Sequence, residues 1–295
     1  MRHKSMRKPR FVLLGTGLAL ALTLAASQDA IVLKRELKAG AKEAYTMSAK
    51  SNMVMDMGQA GMGTMPFDFS YQARMEINFD RISTDGKEAN ITITMKDLKF
   101  DMGQMGQMMG GQQPDTPEEV TMKGTLDTRN RIRGVQMPNA PGPAMMFSQM
   151  TQNFPLFIEF PNDPVRVGDS WEVRIPANPM TGNKMTRLKA TLIGEKSAGQ
   201  GTAWAIKLTG TINVNADMGA MMRQMGGQGG GMPDMAMLMT GTMTVDGEAL
   251  IEKETGRTIK FETTYKSDLT MDFPDMGMQM KQSGNTVMSV VLANN

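Results

Sequence analysis

The stretch Ile206-Lys207-Leu208-Thr209-Gly210-Thr211-Ile212-Asn213-Val214 alternates apolar or small residues with polar residues. An alternation with a period of two is typical of a β-strand that buries one face and exposes the other. The same pattern recurs at residues 75–79, 91–95, 172–175 and 286–292. Threonine is frequent in these runs, which suits a half-buried pleated surface. We therefore predict a mainly β protein with antiparallel curved sheets or a half-barrel.

Turn signals separate the alternating runs and divide the sequence into hairpins. Five segments rich in Gly, Asn, Asp or Thr carry these signals: 84–87, 127–130, 246–247, 254–257 and 283–285. Such residues adopt tight turns readily, through left-handed backbone angles or side-chain hydrogen bonds to the backbone. We predict one hairpin from strands 67–82 and 88–101, and a second from strands 240–253 and 257–270.

The segment 140–165 interrupts the β pattern. Residues 143–153 begin with proline and continue with good helix formers, which predicts one short helix followed by a proline-rich connection. This segment would join two similar β-rich halves, 28–139 and 166–295. The alternative is a helix packed onto one continuous sheet.

The first 27 residues have the organisation of an export signal. Residues 1–10 are basic, residues 11–26 are mostly apolar, and Ala25 and Ser27 suit a cleavage site after Ser27. The apolar run of about 15 residues is shorter than the roughly 20 that span a bilayer. We predict a soluble periplasmic, cell-envelope or secreted protein with no transmembrane segment after cleavage. No cysteine follows the apolar run, so a lipid-anchored lipoprotein is excluded.

Cleavage would also remove basic residues and the histidine from the chain. The full sequence has 32 Lys and Arg against 30 Asp and Glu, and the signal carries five of the basic residues and no acid. The remaining Lys and Arg alternate with acids, so the sequence predicts no nucleic-acid surface. The only histidine is His3, and there is no cysteine. Catalytic groups and zinc sites built from His or Cys are thereby excluded, and we predict that the protein is not an enzyme.

Methionine is the unusual feature of the composition, with 35 residues. Most of them lie in four patches that each contain Asp-Met-Gly, at residues 56–58, 101–103, 217–219 and 275–277. Two antiparallel strands joined by one hairpin bring their outer ends to the same edge. The first two patches should therefore lie side by side, and so should the last two. How the two pairs are placed relative to one another depends on strand pairing that the pattern does not give.

The Met-x-Met and Met-x-x-Met spacings in these patches make them candidate metal ligands. The candidates are Met53, Met55, Met57, Met102, Met105, Met218, Met221, Met276, Met278 and Met280. Thioether sulfur is a soft ligand that favours Cu(I), and the spacings resemble Met-rich copper-handling segments of periplasmic proteins. Three other interpretations stay open: an adaptable apolar surface for a ligand or partner, low-complexity drift of loops, and reversible oxidation to sulfoxide.

The motif Val165-Arg166-Val167-Gly168-Asp169-Ser170-Trp171 is followed later by Glu-Lys-Glu-Thr-Gly-Arg at 252–257. This combination resembles a family of uncharacterised exported bacterial β-rich proteins with a Val-x-Val-Gly-Asp-x-Trp motif, and the likeness covers 155–293 best. Gly-Asp makes a turn and Trp171 anchors the next strand, so the motif supplies no active site. These proteins are loosely similar to the LolA/LolB-like lipoprotein carriers, in which a helix lies across the apolar cavity of a curved sheet. That resemblance implies that the helix at 143–153 is a lid.

The sequence therefore predicts an exported, non-enzymatic β protein that binds an apolar ligand or an envelope partner and has no cofactor. One alternative is Cu(I) binding or buffering through the Met-rich loops. A second alternative is a structural envelope protein without a ligand.

Overall fold

The computed structural model describes residues 29–58, 63–101, 103, 118–136, 155–199, 201–220 and 236–293. These residues form eleven strands of one antiparallel sheet. The strands are β1 (Lys42–Asp56), β2 (Thr64–Ile82), β3 (Glu88–Asp101), β4 (Glu119–Asp127), β5 (Ile132–Gln136), β6 (Ser170–Ile175), β7 (Thr186–Ala198), β8 (Gly201–Asp217), β9 (Leu238–Glu252), β10 (Thr258–Phe273) and β11 (Met278–Leu292). Two short 3₁₀ helices span Pro179–Thr181 and Pro274–Met276. The predicted export signal at 1–27 and the predicted helix at 143–153 lie outside the described residues.

The strands are ordered β5-β4-β3-β2-β1-β11-β10-β9-β8-β7-β6 across the sheet. Strands β1 to β5 run in sequence to one edge, and β6 to β11 run in sequence from the other edge. The two series meet where β1 pairs with β11, from Tyr45 opposite Leu292 to Asp56 opposite Lys281. Within the described residues, β5 and β6 are edge strands that do not pair with each other, so the sheet is open. The predicted antiparallel, mainly β fold is confirmed, whereas the domain boundaries stay a prediction.

Both predicted hairpins are present, with turns between β2 and β3 and between β9 and β10. Two other turn predictions were wrong, because Asp246-Gly247 lies within β9 and Ser283-Gly284-Asn285 lies within β11. A Cβ atom at Gly284 would lie 2.3 Å from the carbonyl oxygen of Asn52, and one at Gly247 would lie 2.9 Å from Thr263 Oγ1. Glycine at these positions serves close packing within the sheet rather than a turn.

The sheet is strongly curved, as contacts between distant strands show. Asn130, in the turn after β4, donates from Nδ2 to Thr258 Oγ1 at the start of β10 over 3.3 Å. Strands β4 and β10 are five steps apart in the sheet, which would separate them by roughly 24 Å if the sheet were flat. The predicted half-barrel curvature is therefore present, and the sheet has a concave inner face and a convex outer face.

Two chain segments close one end of the curved sheet, which we call the sealed end. In the segment 29–41, the N–H of Arg35 donates to Thr128 O over 2.8 Å and the N–H of Glu36 donates to Thr255 O over 2.7 Å. This segment therefore ties the turn after β4 to the turn after β9. In the segment 155–165, Phe157 packs against the Tyr45 ring with centroids 5.4 Å apart.

The Gly-Asp-Ser-Trp motif also lies at the sealed end and has the structural role expected of it. Gly168 has a left-handed φ of 94°, and the Asp169 carboxylate accepts the N–H of Arg166 over 2.8 Å. The Trp171 Nε1–H donates to Glu159 O over 2.7 Å. The motif thus makes a turn and fixes the segment 155–165 to β6.

The ionisation of Glu252, at the sealed end, should make the free energy of unfolding depend on pH. Partial burial favours its neutral form, but hydrogen bonds from Thr255 Oγ1 and Arg257 Nη2 outweigh burial and hold its pKa below the ordinary 4.5. A lowered carboxyl pKa stabilises the fold above the ordinary value, and this stabilisation is lost as the pH falls through the folded-state pKa. We expect E252Q to flatten the fall in unfolding free energy below about pH 4.5, measured by urea unfolding across the acid range. The exposed neighbour variant E254Q is the control, and an E252Q profile parallel to that of the wild type contradicts this assignment.

Candidate functional site at the methionine end

The aspartates of the first two Asp-Met-Gly motifs make turns at the ends of β1 and β3. Asp56 Oδ1 accepts the N–H of Gly58 over 2.9 Å, and Asp101 Oδ1 accepts the N–H of Gly103 over 2.9 Å. A carboxylate that accepts the N–H two residues later makes an Asx turn. The turn therefore accounts for the aspartate and the glycine of the motif. It does not account for the methionine.

The patches that contain the third and fourth motifs are joined by a hydrogen bond. Asp217 Oδ1 accepts the N–H of Ala220 over 2.8 Å, which turns the chain at the end of β8. The Asp275 carboxylate, in the turn between β10 and β11, accepts the N–H of Ala236 over 2.9 Å. Ala236 belongs to the connection that leads from the third motif into β9, so this bond joins the two patches.

All four motifs lie at the same end of the sheet, opposite the sealed end. They follow β1, β3 and β8 and precede β11, and these strand ends form one row because the neighbouring strands are antiparallel. The row runs from β3 to β8 over six strand spacings, which is roughly 29 Å along the sheet. We call this row the methionine end.

On β1, β2, β3 and β11 the inner face is mostly buried near the sealed end and partly exposed near the methionine end. On β8 to β10 it stays buried, since Ala216, Met239 and Phe273 are 1%, 7% and 7% exposed. In β1, Tyr45 and Met47 are 0% and 1% exposed, Met53 is 9% exposed, and Met55 is half-buried. Inner-face side chains with partial exposure cluster near the methionine end: Met55, Met65, Phe67, Phe69, Leu98, Phe100, Met278 and Met280. Along these four strands, the described inner face is therefore apolar and more exposed toward the methionine end than toward the sealed end.

Two buried tyrosines and a pair of hydroxyl groups lie on the inner face between the two ends. Tyr71 in β2 and Tyr265 in β10 are each 3% exposed, and burial raises the pKa of both above the ordinary 10. Ser51 Oγ and Thr286 Oγ1 lie 2.8 Å apart across the β1–β11 pair. These groups carry no charge at neutral pH.

The structure separates the ten predicted metal ligands into three groups. The first group lies on the inner face and consists of Met53, Met55, Met278 and Met280. Met53 and Met55 alternate with Tyr45 and Met47 on the same side of β1, and Met278 and Met280 share a side of β11 with Gly284 and Gln282, which are opposite Met53 and Met55. Met57, Met218 and Met276 follow strands or lie in turns, and Met276 is 46% exposed. Met102, Met105 and Met221 lie outside the described residues.

On neighbouring strands, these candidates lie opposite methionines that belong to the Met-rich patches but were not predicted as ligands. Met65 of β2 lies opposite Met55, and Met271 of β10 lies opposite both Met280 of β11 and Met239 of β9. Side chains directly opposite each other have Cβ atoms about 4.5–5.5 Å apart, whereas alternate residues along one strand are roughly 7 Å apart. The methionine side chains that lie closest together are therefore on neighbouring strands. Which ones are opposite each other depends on the strand register, which a single sequence does not reveal.

Two grooves occur away from the inner face, and charged side chains contribute to the lining of both. One of about 570 Å³ crosses the outer face over β11, β1, β2 and β3, where Lys50, Lys99 and Asp101 contribute to its lining. The other, of about 450 Å³, lies at the sealed end between Arg35, Glu43 and Arg257. In the described part of the chain, no three His, Cys, Asp or Glu side chains are grouped to hold a metal ion, and no helix is long and apolar enough to cross a membrane.

No family model and no curated protein sequence matches the chain. Among solved structures, one of lipid–protein interactions in lipovitellin aligns with 88% of this chain and 26% of that chain, at 10% identity and a TM-score of 0.43. DynF from the dynemicin biosynthesis pathway of Micromonospora chersina aligns with 89% of this chain and 85% of that chain, at 10% identity and a TM-score of 0.22. This chain thus spans about a quarter of that lipovitellin chain. Similarity at this level assigns neither a family nor a ligand, and the resemblances drawn from the motif at 165–171 stay predictions.

Proposed function

We propose that the protein is an exported, non-enzymatic carrier of a small apolar molecule, such as one with a long hydrocarbon chain. The ligand lies against the inner face and enters at the methionine end. The observation that carries this proposal is the one-sided gradient of burial along an apolar concave surface. Burial of apolar surface contributes about 25 cal/mol per Å², so a hydrocarbon chain would gain affinity from covering these side chains.

The chemistry of the inner face favours an uncharged ligand. Among the described inner-face positions near the methionine end there is no charged residue, and Ser267 and Gln282 are the polar ones. A charged ligand group placed there would lose its hydration without gaining a partner. Methionine and phenylalanine dominate instead, and the flexible, polarizable methionine side chain adapts to ligands of varied shape.

The direct test is to extract the purified full chain with organic solvent and to identify bound molecules by mass spectrometry. The protein is then offered a fluorescent apolar dye, and displacement of the dye by fatty acids or hydrocarbons is measured. Saturable dye uptake or a stoichiometric apolar molecule in the extract supports the proposal. A clean extract together with absence of dye binding overturns it.

A matched pair of variants on β1 locates the binding face. Met55 lies on the inner face, and its neighbour Val54 lies on the outer face with 42% exposure. We expect M55K to weaken binding of the apolar dye by at least about tenfold, a loss of about 1.4 kcal/mol, because it places a charge at the apolar opening. V54K adds the same charge on the opposite face and should bind as the wild type does. Equal dye affinities for the two variants would place the site elsewhere.

A further inference from the structure

Three methionines on adjacent strands form one row across the inner face at the methionine end. Met280 of β11 lies opposite Met271 of β10, and Met271 lies opposite Met239 of β9. Because opposite residues of an antiparallel pair point to the same side of the sheet, all three thioethers project from the same face. Met239 and Met271 are 7% and 9% exposed, and Met280 is half-buried. The row therefore has two sheltered members and one that solvent reaches.

The three sulfur atoms can converge on one point. The two outer strands are about 10 Å apart, twice the strand spacing. Methionine has three rotatable side-chain bonds, which let the outer sulfurs approach the middle one. The concave curvature helps as well, because side chains that project from a concave face lean toward one another.

The sulfurs of this row are also free to act as ligands. Among the described residues, the Met53 sulfur receives a hydrogen bond from Gln282 Nε2 over 2.6 Å, whereas none of the three row sulfurs receives one. The neighbouring carboxylate of Asp272 points to the outer face, where it accepts the amide N–H of Gln279 over 2.7 Å. The row itself therefore offers three thioether sulfurs and no carboxylate.

We propose that Met239, Met271 and Met280 form a three-sulfur site for Cu(I). Thioether ligands select Cu(I) among common metals, whereas Zn²⁺, Mg²⁺ and Ca²⁺ prefer nitrogen, thiolate or oxygen donors, which none of the three row residues supplies. The proposal differs from the pattern of alternate methionines along one strand, because its three ligands come from three different strands. It is independent of apolar-ligand binding, since it uses the sulfur atoms and not the area of the face.

The test compares two triple variants in which leucine, of similar volume, replaces methionine. M239L/M271L/M280L removes the row, and M47L/M75L/M95L removes three buried inner-face methionines near the sealed end. Purified protein competes with a colorimetric Cu(I) chelator under anaerobic reducing conditions. We expect the first triple to bind Cu(I) at least about tenfold more weakly than the wild type, and the control triple to bind with wild-type affinity. X-ray absorption of the wild-type complex should show a first shell of sulfur only.

Several results would overturn the proposal: no Cu(I) competition by the wild type, wild-type affinity in the first triple, equal losses in both triples, or a first shell of nitrogen or oxygen. Circular dichroism and thermal unfolding establish that each triple is folded. The half-buried position Met280 provides a second variant, M280L, which should retain the fold and weaken Cu(I) binding by itself. Wild-type protein that competes for Cu(I) but takes up no dye supports this site and contradicts the carrier function. Wild-type protein that takes up dye but does not compete for Cu(I) contradicts this site alone, so the two failures are distinguishable.

Discussion

Replacing Arg35 with leucine is expected to lower the free energy of unfolding by about 3–5 kcal/mol. The Arg35 side chain is 2% exposed, and its Nη2 donates to the Glu43 carboxylate, which is 10% exposed. Its guanidinium carbon also lies 5.9 Å from the centre of the Phe79 ring. Removal of the cation leaves a buried carboxylate without its counter-charge, and this costs far more than the pair itself contributes. Urea unfolding at neutral pH measures the loss.

A second variant separates the orphaned charge from the lost packing. Glu43 Oε2 also accepts the Tyr45 hydroxyl over 2.7 Å, so E43Q removes the charge and keeps an acceptor oxygen for Tyr45. We expect R35L/E43Q to be more stable than R35L by at least about 1 kcal/mol. The comparison variant R174L breaks an ion pair whose arginine is 64% exposed, and it should cost less than about 1 kcal/mol. An R35L loss as small as that of R174L would mean that the buried pair does not hold the segment 29–41 in place.

The second large effect is expected at Gly256, in the turn between β9 and β10. Gly256 has a left-handed φ of 66°, and a Cβ atom there would lie 2.1 Å from the carbonyl oxygen of Lys34. Alanine would therefore meet a conformational cost of roughly 1–2 kcal/mol and a steric cost of roughly 1–3 kcal/mol against the backbone of the segment 29–41. We expect G256A to lower the unfolding free energy by about 2–5 kcal/mol in total.

Gly86 provides the matched control for this substitution. It lies in the hairpin turn between β2 and β3 at the same end of the sheet, has a φ of 69°, and would place a Cβ atom in open space. G86A therefore carries the conformational cost alone, about 1–2 kcal/mol. Parallel urea unfolding of the two variants isolates the contact between Gly256 and Lys34. If the two losses are equal, the segment 29–41 moves aside at no cost, and the sealed end is looser than its contacts indicate.

Much of the sheet could be predicted from the sequence, because strand formation depends on local alternation. The strands around the turn at 83–87 and the turn at 253–257 were located to within a few residues. The errors at Asp246-Gly247 and Ser283-Gly284-Asn285 have one cause. Glycine beside Asp or Asn is typical of a turn, yet at these two positions it serves close approach within the sheet, and the contacting residues are far away in the sequence.

The candidate site was only partly predictable, for the same reason. The repeated Asp-Met-Gly tripeptides drew attention to the correct end of the sheet, and the hairpin argument placed the patches in pairs. Bringing the pairs together required the pairing of β1 with β11, which no local pattern encodes. Met239 and Met271 lie at the ends of the Met-rich patches that the sequence indicates, but neither was predicted as a ligand. The register of β9, β10 and β11 places them opposite each other and makes them candidate ligands. The burial of Arg35 likewise depends on where the segment 29–41 crosses the sheet.

The pairing of β1 with β11 has a consequence for how the protein is made. Met53 and Gly284 are opposite each other but about 230 residues apart along the chain, so closing this pair carries a large entropic cost. During synthesis, β1 to β5 can assemble as successive hairpins, but β1 keeps one row of unpaired N–H and C=O groups until β11 is available. Such a row is a template for pairing with another chain. The nascent protein therefore carries an aggregation-prone edge through most of its synthesis, and the strand that removes that edge is the eleventh of eleven.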